Sequence, residues 1–239
     1  MCVRWIIPLL AFVILTPVSA GTSGSGSKAV VPELVEEKPE DVEKRWRLGL
    51  QYFQGTSNSL GEIFTGDIDT LPQNGVRLSA ALVLVEDLWD WPVNVLAEGG
   101  VMWHNEKSAQ SDVFQYTMAV RFEWTEFPWS DSLRTRLGFS TGLSYADGIP
   151  VAEIQNRGTN SSKHLLHYLE FSLAFNCADL TRITRLDSLG VSAASMEHLW
   201  LFAGIPHRSG AGGLYGSDNT GRSIRGGSNY LSIGIEVEF

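Results

Sequence analysis

Cysteine is almost absent from this chain of 239 residues, which contains only Cys2 and Cys177. Cys2 lies in an N-terminal segment that has the features of a cleaved leader. A mature chain with Cys177 alone cannot form an internal disulfide. No histidine or asparagine motif flanks Cys177, which argues against a thiol catalyst and favours a packed residue at the end of a strand.

Positive charge is also scarce, since 18 lysines and arginines stand against 27 aspartates and glutamates. The net charge is −9, and it becomes −10 once Arg4 is removed with the leader. An acidic chain of this kind is not expected to bind nucleic acid.

A long apolar run occurs at the N-terminus, over residues 5–17, where it follows Arg4 and precedes Val18-Ser19-Ala20. A charged start, an apolar stretch and small residues predict a secretory signal peptide over residues 1–20. The alternative is an uncleaved anchor, but the run is short for a spanning helix of about 20 residues. Cys2 lies ahead of the apolar run and not at the cleavage point, which excludes a lipoprotein acylation site.

Residues 21–45 predict a flexible acidic segment. A Gly/Ser stretch, GTSGSGSK, is followed by the acidic, proline-containing PELVEEKPEDVE. Such compositions form linkers and do not supply enough apolar residues for a core.

From Trp46 onward, apolar and polar residues alternate, which is the period of a β-strand. The fourth run is the clearest, because Phe114, Tyr116, Met118, Val120, Phe122 and Trp124 all fall on one face. The pattern predicts a single all-β domain over residues 46–239, an eight-stranded antiparallel barrel. Its eight apolar runs lie at 46–52, 78–84, 93–103, 114–124, 133–145, 165–175, 199–205 and 231–239.

Periodicity alone does not say whether the apolar face points inward, as in a soluble lipocalin-like barrel, or outward, as in a membrane barrel. Three features favour a transmembrane barrel: a broad apolar phase, aromatic residues at strand ends, and opposite charges in the polar phase. Eight strands leave little open pore, so a diffusion channel is not expected. The strand-end aromatics are Trp46, Trp89, Trp91, Trp124, Phe127, Trp129 and Phe239, and the lumen charges are Arg121, Glu123, Arg134, Arg136 and Glu170.

With both termini in the periplasm, the short segments 86–92 and 125–132 fall on the periplasmic side, as expected for turns. The longer segments 55–75, 147–162 and 210–227 then fall outside. Residues 178–196 do not fit this scheme, because they are long and periplasmic, and they predict either extended strand ends or a small helix.

A His-x-Ser pair follows the seventh run, and it carries the main functional hypothesis. His207 and Ser209 share the phase of the lipid-facing residues of that run. Residues two apart on a strand lie about 7 Å apart at Cα, which permits the hydrogen bond that a base-activated hydroxyl needs. The lipid phase of the eighth run begins at Asn229, so the three residues are predicted to converge at the outer-leaflet interface. The alternative is that the His-x-Ser pair is purely structural.

His207-Arg208-Ser209-Gly210 and Gly226-Gly227-Ser228-Asn229 occur here with a signal peptide, eight strands and a Gly-rich loop. This combination resembles the outer-membrane lipid A 3-O-deacylase family (PagL-type) and related barrels labelled acyloxyacyl hydrolase. The resemblance is specific over residues 197–239 and architectural before them. It implies a carboxylic ester hydrolase of the bacterial outer membrane that acts on the lipid A of lipopolysaccharide, with Ser209 as nucleophile and His207 as its base.

The chain departs from that family at the third position, where a glutamate near the start of the last strand is replaced by Asn229. An asparagine orients an imidazole but lacks the charge that stabilises imidazolium, although Cys-His-Asn proteases function with one. Outer-membrane phospholipase A, another barrel, also uses a Ser-His-Asn arrangement. The other two hypotheses are therefore a phospholipase-like esterase and a non-catalytic barrel that serves envelope integrity or adhesion.

Further residues are assigned to substrate binding. Arg208, Arg222 and Arg225 are expected near the outer rim, where they can hold lipid A phosphates or remain solvated loop charges. The N–H groups of residues 210–213 are candidate oxyanion donors. We expect no metal or other cofactor, and a second copy of the chain is a possible partner. The remaining histidines have no metal-ligand spacing and are interpreted as strand-end or interfacial residues: His104, His164, His167 and His198.

Overall fold

The computed structural model describes residues 45–107, 109–157, 163–190, 192–211, 214 and 227–239. The predicted signal peptide, and the acidic segment up to residue 44, lie outside these residues. Each strand pairs antiparallel with the next, and the last pairs with the first, so the sheet is a closed eight-stranded barrel, as predicted. The strands are β1 (Trp46–Thr56), β2 (Thr70–Val85), β3 (Val93–Asn105), β4 (Val113–Trp124), β5 (Thr135–Ala146), β6 (Leu165–Asn176), β7 (Leu199–Ser209) and β8 (Gly227–Glu238).

The strands have 11 to 16 residues, which is enough for the tilted span of about 9–11 residues that a bilayer requires. β2 and β8 begin earlier than their apolar runs, at Thr70 and Gly227. These extensions lie at the end of the barrel that carries the long loops. In the described part of the chain, no helix is long and apolar enough to cross a membrane.

The outer face of the barrel is apolar. Leu78 is 63% exposed and Met118 is 69% exposed, although both lie in the middle of their strands. Along β4, buried and exposed residues alternate without interruption. A bilayer is the environment that buries such a face, which confirms a transmembrane barrel. Exposed aromatics lie at one end of the strands, as predicted for an interfacial girdle: Trp46, Trp89, Trp91, Trp124, Trp129 and Phe239. A second set lies toward the opposite end: Tyr52, Phe114, Tyr116 and Tyr145.

The inward-facing side chains form a charged core. Arg77 is 2% exposed; it contacts Glu98, and its Nη1 lies 3.0 Å from Glu170 Oε2. Arg121 contacts Glu98 and lies 2.8 Å from Glu236. Opposite charges that are buried together offset the hydration that each one loses. The other members of this network are Arg47, Glu123, Arg136 and Glu238.

The long connection between β6 and β7 holds a small helix, α3 (Cys177–Ile183). Asn176 caps it by accepting the N–H groups of Ala178 and Asp179. Arg134 precedes β5 and its Nε lies 2.8 Å from Asp179 Oδ2. Its expected place in the lumen network was therefore wrong, because the guanidinium is held by this helix at the mouth of the barrel.

Two short helices lie at the opposite end, in the long segments 55–75 and 147–162. The first, α1 (Leu60–Thr65), has a capping box between Ser59 and Glu62. The second, α2 (Val151–Arg157), buries Ala152 completely in a lumen cluster. α2 thus closes the outer end of the lumen. The cluster also contains Phe53, Met102, Ala119, Tyr168 and Tyr230.

The start of α2 is held by a buried carboxylate. Glu106 follows β3, and its Oε2 accepts the backbone N–H of Val151 at 3.2 Å. Burial raises the pKa of Glu106 from 4.5 to about 7, and the nearby Asp112 carboxylate raises the pKa further, while the Val151 N–H opposes the shift.

Glu98→Ala is expected to destabilise the barrel by about 3–5 kcal/mol, because it leaves the buried Arg77 and Arg121 without their shared carboxylate. Urea unfolding in lipid vesicles measures this difference. Glu126→Ala, an exposed glutamate in the β4–β5 turn, is the matched control. Equal midpoints for the two variants would contradict a stabilising lumen network.

Glu106→Gln is expected to flatten the pH dependence of stability. The folded protein holds a proton on Glu106 that the unfolded chain releases between about pH 4.5 and 7, so stability falls as pH rises through that window. Unfolding midpoints of wild type and variant across pH 4–8 give the difference. Plots of the unfolding midpoint against pH that run parallel for wild type and Glu106→Gln would contradict this assignment. Parallel plots are the behaviour expected of the control, Glu126→Gln.

Candidate active site

The three predicted catalytic residues lie on adjoining strands at the outer end of the barrel. His207 and Ser209 are the last outward-facing residues of β7, and both are half-buried. β7 pairs with β8 so that His207 lies directly opposite Asn229. The structure thus brings His207 and Asn229 together, with Ser209 two residues further along the same face.

A chain of hydrogen bonds fixes the His207 ring. Its Nδ1 lies 2.6 Å from Asn229 Oδ1, and Asn229 Nδ2 donates to the backbone carbonyl of Asn58 at 2.6 Å. A carbonyl only accepts hydrogen bonds, so the amide nitrogen of Asn229 must face Asn58 and its oxygen must face His207. His207 Nδ1 therefore carries the proton, and Nε2 is the basic nitrogen.

Asn58 is a residue of the candidate site that the sequence reasoning missed. It follows β1, is buried, and accepts the N–H of Asp69 with its own Oδ1. Its N–H donates to Thr56 Oγ1 at 3.2 Å, and Thr56 is paired in register with Asn229. Pairing of β1 with β8 places the loop that follows β1 beside the site. A prediction of that pairing would have identified Asn58 as a neighbour of Asn229.

A cleft of about 180 Å³ lies beside the His207–Asn229 pair. Glu62 contributes a carboxylate to it, and the backbone N–H of Ser59 lowers the pKa of that carboxyl. The cleft is therefore polar, and among the described residues that line it none is a lysine or arginine. Its lining is Ser57, Asn58, Ser59, Glu62, His207, Gly227 and Asn229.

Ser209 is positioned by the turn that follows it. Its Oγ accepts the backbone N–H of Ala211 at 3.3 Å, where Ala211 has a left-handed φ of 44°. That bond uses an oxygen lone pair and leaves the hydroxyl proton for a base. Of the proposed oxyanion donors in 210–213, Gly212 and Gly213 lie outside the described residues.

Arg208 does not lie where a lipid phosphate would reach it. It is 1% exposed, and its Nη1 lies 2.5 Å from Glu153 Oε2 on α2. Nε donates to Ser144 Oγ at 3.1 Å, and Nη2 donates to the Lys163 carbonyl at 2.6 Å. The expectation of a phosphate contact is wrong for this residue, because strand alternation turns it into the lumen. Arg222 and Arg225 lie outside the described residues.

The other histidines occupy different environments. His104 is buried in the lumen, where its Nε2 lies 3.0 Å from Gln115 Oε1. His164 precedes β6 and its Nδ1 bonds the Ala146 carbonyl. His167 faces outward on β6, directly opposite Ser209. In the described part of the chain, no group of three or more histidine, cysteine or acidic residues is arranged to hold a metal ion.

A closed antiparallel barrel with an apolar outer belt and a charged interior is the architecture of bacterial outer-membrane barrels, because only closure leaves no unpaired edge in lipid. The protein is an outer-membrane β-barrel of this class.

No protein-family model and no curated protein matches the sequence. Similar solved structures include the outer-membrane enzyme PagL, at 10% identity over 79% of this chain and 98% of that chain, with a TM-score of 0.45. Ail of Yersinia pestis is similar at 11% identity over 82% and 99%, with a TM-score of 0.36. OprB of Pseudomonas putida is similar at 12% identity over 82% and 44%, with a TM-score of 0.28.

Arg208→Met is expected to lower stability by about 3–5 kcal/mol, because it leaves the Glu153 carboxylate buried without a partner. Combining it with Glu153→Leu should restore most of the loss, since the double variant removes both charges. Urea midpoints of the two single variants and the double variant test this cycle. A surface arginine that binds phosphate would instead leave all the midpoints unchanged.

Proposed function

We propose that the protein is an outer-membrane serine esterase that removes an ester-linked acyl chain from the lipid A of lipopolysaccharide. The observation that carries this proposal is the bond chain from Asn58 through Asn229 to His207. It sets the basic Nε2 of His207 on the same outward face as the Ser209 hydroxyl. This is the pairing of an oriented base and a nucleophile that acyl transfer requires.

The reaction proceeds in two halves. Ser209 Oγ attacks the acyl carbonyl carbon while His207 Nε2 takes the hydroxyl proton. The tetrahedral intermediate collapses, the bond between the acyl carbon and the sugar oxygen breaks, and His207 gives the proton to the sugar oxygen as it leaves. Water then attacks the acyl-enzyme with His207 again as base, which releases the fatty acid and restores Ser209.

The position of the pair on the wall favours a membrane lipid over a soluble ester. Hydrophobic residues such as Leu201 share its face on β7, so an acyl chain reaches Ser209 from within the bilayer. With periplasmic termini, the end of β7 lies at the outer leaflet, where lipid A esters are found just below the head groups. Arg222 and Arg225 lie between β7 and β8 in the sequence, and we assign them to the lipid A phosphates.

Asn229 replaces the acidic third member that the resemblance implies. It holds the His207 tautomer but adds no negative charge. Glu62 lines the same cleft, but its carboxylate is exposed to solvent and accepts the Ser59 N–H at the start of α1, so water screens its field at His207. We therefore assign Asn229 to orientation of the imidazole.

Lipid A from cells that express wild type is expected to lose one acyl chain, and lipid A from cells that express Ser209→Ala is expected to keep it. Mass spectrometry of extracted lipid A measures the loss. Ser228→Ala is the matched control, because Ser228 is buried beside Asn229 on the lumen face of β8.

Unchanged lipid A with a folded wild-type barrel in the outer membrane would overturn the lipid A assignment. Release of fatty acid from phospholipid vesicles by wild type, and not by Ser209→Ala, would then identify a phospholipase-like esterase. Inertness toward both lipids would identify a non-catalytic barrel.

A further inference from the structure

Polar side chains form a patch on the outward face of four neighbouring strands at the outer end of the barrel. This outer polar patch consists of Thr141 on β5, His167 on β6, His207 and Ser209 on β7, and Asn229 on β8. Positions on the same face of β5 and β6 that lie closer to the opposite end of the barrel are apolar, including Leu137 and Leu173. Polar groups on a lipid-facing wall cost free energy, and such groups are therefore candidates for a functional site.

The sheet register places His167 beside the nucleophile. His167 and Ser209 are directly paired across β6 and β7. Directly opposite residues of an antiparallel pair have Cβ atoms about 4.5–5.5 Å apart. Ser209 and His207, two residues apart on one strand, are separated by about 7 Å at Cα. Ser209 therefore has one imidazole along its strand and a second imidazole across from it.

The two imidazoles are held in different ways, and this separates their roles. The carboxamide oxygen of Asn229 holds a proton on His207 Nδ1 and makes Nε2 the base. His167 Nε2 instead lies 3.0 Å from the hydroxyl oxygen of Thr141, on the next strand. When that hydroxyl donates to Nε2, the proton of the neutral His167 ring is on Nδ1, and the ring is a hydrogen-bond donor.

We propose that His167 is a catalytic residue of the esterase, the side-chain donor that stabilises the oxyanion formed when Ser209 attacks an acyl ester. This inference rests on the proposed function of Ser209 and His207. In the attack, the carbonyl π electrons move to oxygen, and that oxygen accepts a hydrogen bond from the His167 ring N–H. No proton is transferred to the oxyanion, and its C–O bond becomes a carbonyl double bond again when the alcohol leaves. Thr141 is a positioning residue that acts through His167.

The test uses the purified full-length protein in detergent micelles with p-nitrophenyl laurate as the ester. His167→Ala is expected to lower kcat by about 10²–10³-fold, the effect of losing one oxyanion donor, with KM little changed. His167→Gln should retain most of the activity, because its carboxamide N–H can donate. Leu165→Ala, on the same strand and face as His167, is the matched control.

A second measurement separates this donor role from a structural role or from a base. Labelling by a fluorophosphonate, which forms a tetrahedral adduct on serine, should slow in His167→Ala in parallel with kcat and recover in His167→Gln. Heat-modifiable migration on gels reports whether each variant retains a folded barrel. Folded His167→Gln that is as inactive as His167→Ala would overturn the donor role, because only a base requires the imidazole itself.

The two proposals fail in different ways. A wild-type protein that neither hydrolyses the ester nor reacts with the fluorophosphonate would overturn the esterase, and the role of His167 with it. An active wild type together with a fully active His167→Ala would overturn the role of His167 alone and leave Ser209 and His207 in place.

Discussion

The structure depends on one constraint: in hydrocarbon, each backbone N–H and C=O must find its partner within the protein. Pairing of β8 with β1 meets this constraint by removing both sheet edges. Closure also assigns every strand residue to the lumen or to lipid. Charges such as Arg77 and Glu98 must then face inward and pair with one another, while the outward face becomes apolar. A polar side chain that still faces outward stands out against this rule, and the residues proposed for catalysis are of that kind.

Much of the fold could be predicted because apolar and polar residues alternate along each strand of the sequence. The eight apolar runs gave the strands, and the phase of the seventh and eighth runs put His207 and Asn229 on one wall. The same phase also turned Arg208, which lies between His207 and Ser209, toward the lumen. Its expected phosphate contact relied instead on its nearness to the outer rim. The ion partner that explains it, Glu153, comes from a loop whose path no alternation records.

Other features required the register and the path of the loops, which a single sequence does not contain. α2 has seven residues, too few for a helical period to be recognised. Asn58 lies next to Asn229 only because the barrel closes, and His167 lies next to Ser209 only in the observed register of β6 and β7. A shift of two residues would preserve every inward and outward assignment and would still separate that pair. Arg134 was misplaced for a related reason, since its phase is that of the lumen but its strand begins one residue later.

The lumen face of β7 supports the residues on its lipid face. Arg208 separates His207 from Ser209 in the chain, and its guanidinium is tied to α2 and to carbonyls of the β5–β6 loop. The nucleophile and base lie on a wall that faces fluid lipid, so their alignment is supported largely from behind the strand. A site geometry is held best when its residues lie on rigid elements with bonded neighbours. The buried ion pair inside the barrel and Asn58 at its rim provide that support, which explains why an inward-facing arginine lies in the middle of an outward-facing His-x-Ser pair.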